Sequence, residues 1–193
     1  MTPARAVNPA NAITLLRLLL VPLFALLQLQ SSPTWAFAVF ALAAFSDFVD
    51  GWLARRFRWV TRLGVFIDPL ADKALQLTAF TLLAWKGHVP LWVAILAWFR
   101  ECLVISGFVL LALVAHIRKV QSSCLGKLGT MAQMGFLSAL LASQAFGVPS
   151  SLEAALRLAL GGAVLLHLAG GLDYAWKGFR AYEAMNRDAE RGA

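Results

Sequence analysis

The sequence predicts an all-α, polytopic membrane protein with six transmembrane helices, and three observations lead there. Of its 193 residues 60% are apolar and only 14% are charged, against about 25% charged in ordinary soluble domains. The mean hydropathy is +0.72. Six apolar runs, each near the ~20 residues a helix needs to cross a bilayer, alternate with short connections whose basic residues gather on one side. The length suits a single membrane domain over residues 1–193.

The first span runs from Ile13 to Leu29. It is read as retained, because the apolar run contains Arg17 and continues past Gln28 without a small-residue cleavage site. The second covers Trp35 to Leu53. The third opens at Asp68, where Asp-Pro suits a helix N-cap followed by proline at the first helical position, and ends near Trp85. The fourth extends from Pro90 to Ile117, the fifth from Leu128 to Phe146 and the sixth from Leu152 to Trp176. The closing MNRDAERGA is polar and is expected to fray.

Charge orients these spans. Arg55, Arg56, Arg58 and Arg62 lie between spans two and three, Arg118, Lys119 and Lys127 between four and five, and Lys177, Arg180, Arg187 and Arg191 after six. The opposite loops carry only Lys86. Cytoplasmic loops collect lysine and arginine, so both termini and the arginine-rich loop are expected in the cytoplasm, in a bacterial inner (cell) membrane. The net charge of +7 then reflects loops facing anionic lipid. No aromatic-basic recognition module is present, and nucleic acid is not an expected partner.

The segment SDFVDGWLARRFRWVTRLGVFIDPLADKAL is the most informative. It sets Asp47, Asp50, Asp68 and Asp72 in an otherwise apolar setting, where each ionised group costs about 2.5–3.5 kcal/mol on insertion scales. Spacings of three and four put each pair on one helical face. The run from Trp35 to Phe45 covers only ~16 Å, so both pairs are expected at the cytoplasmic depth of the bilayer. Clustered carboxylates suit hard divalent cations, and such cations with arginines alongside suit phosphoryl displacement. Gly51 and Ala54 leave room beside the helix, Arg55 can pair with a phosphate, and Gly64 supports a turn.

From Asp47 through Gly64 to Asp72 the chain reads D-x2-D-G-x2-A-R-x8-G-x3-D-x3-D. This resembles the signature of the CDP-alcohol phosphatidyltransferases, and the likeness extends to six spans with cytoplasmic ends. The resemblance implies transfer of a phosphatidyl group from CDP-diacylglycerol to an alcohol, with release of CMP, supported by two divalent ions, Mg2+ or Mn2+. It implies that Asp47, Asp50 and Asp68 bind metal, that Asp72 lies near metal and acts as the base, and that Gly51, Ala54, Arg55 and Gly64 line the cytidine diphosphate site.

The stretches PANAITLLRLLLVPLF and WFRECLVISG resemble the phosphatidylglycerophosphate synthase branch, which implies glycerol 3-phosphate as acceptor. LGKLGTMAQM matches that branch's G-K-x-K-T-x-x-Q element at Lys127, Thr130 and Gln133, with Gly129 where a basic residue usually stands. The six-span cardiolipin synthases share the core and are the alternative, with phosphatidylglycerol as acceptor.

Lys73, Arg100, Arg118 and Lys127 are candidates for the acceptor phosphate, while Arg17 either joins them or snorkels to the headgroups. Glu101 is expected to pair with a neighbouring cation, and His88, His116 and His167 to be structural. Cys102 and Cys124 fit no metal pattern and read as small core residues. Gly126, Gly129 and Gly135 and the doublets Gly161-Gly162 and Gly170-Gly171 suit close helix packing, within the chain or in a homodimer. Trp35, Trp59, Trp85, Trp92 and Trp176 read as interfacial belt residues. An ion transporter is the rival class. It is disfavoured because all four acids share one depth and no inverted repeat is visible.

Overall fold

Ser32 and Pro33 explain how the chain first turns back on itself. In the computed structural model, Ser31 takes a left-handed φ of 57°, and the Ala36 amide donates to the Ser32 carbonyl at 3.0 Å. Pro33 then occupies the first helical position, where its missing N–H costs nothing. The structure describes the backbone of residues 9–57, 64–114, 124–147 and 150–191, and the side chains of 15–46, 71, 73–106, 125–147 and most of 152–180.

All regular structure among the described residues is helical: α1 (Pro9–Leu29), α2 (Pro33–Phe57), α3 (Gly64–Trp85), α4 (Leu91–Val114), α5 (Cys124–Phe146) and α6 (Ser150–Arg191). The helices number and order as the apolar runs suggest. Among the described residues one stretch, Ala154–Lys177, is long and apolar enough to cross a membrane, whereas Leu15–Leu29 and Pro33–Ser46 are shorter apolar stretches.

Several helices reach past the apolar runs, α1 beginning at Pro9 rather than Ile13, α2 ending at Phe57 rather than Leu53 and α5 beginning at Cys124 rather than Leu128, and two further boundaries differ. α3 begins at Gly64, so Asp68 lies inside the helix rather than capping it. Pro69 then falls in the second turn, where it has no N–H to offer the Val65 carbonyl, so that helical hydrogen bond is missing. α6 continues to Arg191, through the tail expected to fray. The segment from Lys177 to Arg191 holds no proline and a single glycine, so nothing in it stops a helix before Gly192.

The chain divides into two compact units, Met1–Ala94 with Leu137–Val148, and Ile95–Phe136 with Pro149–Ala193. In the first, α1 packs against both α2 and α3. Its buried stripe is Arg17, Leu20, Phe24 and Gln28. That of α2 is Ala36, Phe40 and Ala43, and α3 buries Leu75, Ala79, Phe80 and Leu83. Phe24 meets Phe40 with centroids 5.7 Å apart, and Phe37 meets Phe146 edge-on at 5.6 Å. Polar contacts close the end of this unit near the α1–α2 turn. Gln28 Nε2 donates to Gln144 Oε1 at 3.2 Å, Lys86 Nζ donates to the Gln28 carbonyl, and Thr34 Oγ1 donates to the Ala145 carbonyl at 3.4 Å.

In the second unit glycines set how closely two helices approach. A Cβ added at Gly170 would lie 2.7 Å from Gly126 Cα, and one at Gly129 would lie 3.0 Å from the Leu166 carbonyl oxygen and 3.1 Å from His167 Cα. Side chains are therefore excluded where α5 crosses α6. Gly135, Gly161 and Gly162 face open space instead. Gln133, His167 and Glu101 are buried in this unit. Cys102 is exposed, which corrects its expected core position. The buried positions of α4 run Val93, Ala97, Glu101, and residue 102 is turned about 100° away from that line.

Candidate active site

Two helices carry the carboxylates, and the heptad stripes explain their placement. On α2 the buried positions 36, 40 and 43 continue with alternating steps of four and three through 47, 50 and 54. Asp47, Asp50 and Ala54 thus occupy the register of the inward stripe, one to three turns beyond Ala43. On α3 the stripe of Leu75, Ala79 and Leu83 extends backwards through 72 and 68. The C-terminal end of α2 and the N-terminal end of α3 are joined by residues 58–63, so the two carboxylate pairs belong to the same end of the first unit.

The side chains of Asp47, Asp50, Gly51, Ala54, Arg55, Gly64, Asp68 and Asp72 lie outside the described residues, and only their helical positions are given. Among the described residues no group of three or more His, Cys, Asp or Glu forms a metal site. The donor set itself fits a hard cation. Four carboxylates on adjoining ends of two sequential helices could together offer the all-oxygen ligation that hard divalent cations favour. Ala71 and Leu75, beside Asp72, are buried at 0% and 1% exposure, so this turn of α3 is held by packing.

The candidate acceptor cations are distributed differently. Lys73 is half-buried on α3 in the first unit, whereas Arg100 and Lys127 belong to the second. Arg118, Trp59 and His116 lie outside the described residues. Arg100 Nη1 donates to Glu101 Oε1 at 2.5 Å, with both side chains largely buried, so the expected pairing of Glu101 is present. Lys127 is exposed. Thr130 Oγ1 donates to the Gly126 carbonyl at 3.1 Å. Gln133, expected only as a motif match, is buried.

Arg17 departs from its snorkelling alternative. It is 1% exposed, among the largest fully buried side chains. Its stripe of 17, 20, 24 and 28 is a sequence signal that identifies the inward face. His167 is buried on α6 against the α5 crossing, and His88 sits exposed in the turn after α3.

The profile of the CDP-alcohol phosphatidyltransferase family matches residues 7–168. The chain belongs to this family. A probable phosphatidylglycerophosphate synthase of Mycobacterium tuberculosis is 36% identical over 187 residues, covering 92% of this chain and 84% of the relative. A CDP-diacylglycerol--glycerol-3-phosphate 3-phosphatidyltransferase of Yersinia pestis is 37% identical over 140 residues, covering 69% and 76%. A cardiolipin synthase (CMP-forming) of Streptomyces coelicolor is 34% identical over 169 residues, covering 82% and 76%. Membership agrees with the eight spaced positions of the signature, and the relatives include both acceptor branches that the sequence resembles.

Proposed function

We propose that this chain transfers a phosphatidyl group from CDP-diacylglycerol to glycerol 3-phosphate, giving phosphatidylglycerophosphate and CMP. The observation that carries the reading is the continuation of two buried stripes into the four aspartates at adjoining ends of α2 and α3. Similarity to relatives named for this reaction supports the choice of acceptor.

Asp47, Asp50 and Asp68, with Asp72 alongside, would hold two divalent ions, Mg2+ or Mn2+, which would supply charge neutralisation of the diphosphate. Gly51 and Ala54 admit the cytidine diphosphate close to α2, Arg55 pairs with a phosphate, and Gly64 lets the chain turn beside it. Asp72 takes the proton from the acceptor hydroxyl as its oxygen bonds the phosphorus next to diacylglycerol. The bond from that phosphorus to the bridging oxygen breaks, and CMP leaves with that oxygen. Lys73, Arg100, Arg118 and Lys127 meet the acceptor phosphate.

The six helices form a single domain spanning a bacterial inner membrane, with both termini and the active site on the cytoplasmic side. Leu158, Leu165 and Leu172 support this placement, since they recur every seven residues on α6 and are 69–78% exposed, a face suited to lipid. Trp35, Trp85, Trp92 and Trp176 are likewise exposed, as belt residues are. The open surface at Gly135, Gly161 and Gly162 is available to a second copy in a homodimer.

The acceptor is tested with purified protein, CDP-diacylglycerol, a divalent metal and either glycerol 3-phosphate or phosphatidylglycerol. Phosphatidylglycerophosphate is the expected product, and cardiolipin formed without any use of glycerol 3-phosphate would establish the alternative. Arg100→Ala should raise the KM for glycerol 3-phosphate by about 10- to 100-fold, as loss of one charge-assisted contact of ~1.5–3 kcal/mol requires. The KM for CDP-diacylglycerol should change far less.

A further inference from the structure

We infer that Arg17 is the counter-charge that positions Asp47 for metal binding, a role that rests on the proposed metal site. At 1% exposure the guanidinium of Arg17 is withdrawn from solvent by the protein itself. A buried cation in such a place requires an anion beside it. The unit that contains Arg17 comprises Met1–Ala94 and Leu137–Val148. Its only acidic side chains are Asp47, Asp50, Asp68 and Asp72.

Helix register selects among the four. α1 and α2 form an antiparallel hairpin about residues 30–32, and Phe24 touches Phe40 between them. Seven residues back along α1 from Phe24 is Arg17, and seven forward along α2 from Phe40 is Asp47. Each step is about 10.5 Å and returns to within about 20° of the same face. Positions 17 and 47 therefore stand level on facing stripes. α3 gives a consistent level. From the Lys86–Gln28 contact, eleven residues back on each helix reaches Leu75 and Arg17, with Asp72 one turn further along.

Burial separates this role from phosphate binding. Arg17 is buried on the stripe of α1, a helix that packs against α2 and α3, and in this proposal it acts through the carboxylate. Its planar fork can hold one carboxylate oxygen or both, fixing the orientation in which the other lone pairs reach a cation. Lysine supplies the charge without the fork.

The test uses the full chain purified in detergent without substrate. Melting temperatures are measured for Arg17→Met, Asp47→Asn and their combination, with Asp50→Asn replacing Asp47→Asn in a parallel cycle. Each single change should lower the melting temperature, because it strands one buried charge. The Arg17→Met/Asp47→Asn pair should lose less than the sum, whereas the Asp50 cycle should be closer to additive. Titration with Mn2+ followed by electron paramagnetic resonance should show about 10- to 100-fold weaker binding in Arg17→Met and a smaller loss in Arg17→Lys. Additive losses in the Asp47 cycle, or wild-type Mn2+ affinity in Arg17→Met, would overturn the inference. Should Arg17→Met not fold, Arg17→Lys carries the titration, and unchanged affinity there is equally contradictory. Both readouts precede turnover, so an enzyme with a different acceptor would leave them intact. Unaltered Mn2+ binding in Asp47→Asn would instead remove the metal-site reading and this inference with it.

Discussion

Asp72→Asn is expected to reduce kcat by about 10²- to 10⁴-fold, the usual contribution of a general base. Asparagine nearly matches the shape of aspartate but has no site that accepts the hydroxyl proton. The substitution should leave α3 in place, because Ala71 and Leu75 on either side are buried at 0% and 1% exposure. Asp47→Asn, Asp50→Asn and Asp68→Asn should behave differently, losing turnover together with an increased requirement for metal. Rates of CMP release in a single turnover, measured over a range of metal concentrations, separate the two classes. An Asp72→Asn enzyme restored to the wild-type rate by more metal would assign Asp72 to ligation alone.

Gly129→Lys should lower the melting temperature and should not improve the use of glycerol 3-phosphate. On sequence alone this substitution fills the one basic position missing from the Lys127–Gln133 element, and so it would be expected to strengthen binding. The structure reverses that expectation. A Cβ at Gly129 would lie 3.0 Å from the Leu166 carbonyl oxygen and 3.1 and 3.2 Å from His167 Cα and N, all of them backbone atoms. Backbone cannot rotate away as a side-chain tip can, so α5 and α6 must separate. Overpacking of this kind costs about 1–3 kcal/mol and occasionally more. Gly135→Ala is the comparison, since nothing lies within 4 Å of its Cβ position, and it should be tolerated. Thermal melts of the two variants beside the wild type, with acceptor KM for each, decide the matter.

These contrasts show what kinds of information the linear sequence carries. Helix number and order were legible because apolar runs and turn residues are local signals. Gly87 and Gly147, with φ of 76° and 70°, sit just past the ends of α3 and α5, where left-handed backbone is common. The four aspartates stand out in the sequence because their spacing is periodic and their charge is costly in an apolar segment. The start of α3 was misread because Asp-Pro is a good N-cap pattern, and only the wider chain decides whether the helix begins earlier. Burial of Arg17 was not legible in the same way. A cation near the end of an apolar helix can snorkel or turn inward, and the choice depends on which helices cover it. The place of Gly129 at a helix crossing likewise needs the partner helix, because no local pattern names Leu166 and His167 as neighbours.

The carboxylate site is tested most directly by a count of the Mn2+ ions bound to the purified chain, by electron paramagnetic resonance, before and after substitution of each motif aspartate. Two ions per chain, close enough to couple magnetically, are expected, with coupling lost in Asp47→Asn, Asp50→Asn and Asp68→Asn and activity abolished by EDTA. Equal Mn2+ binding in all of these variants, or full phosphatidyl transfer in EDTA, would contradict the two-ion site.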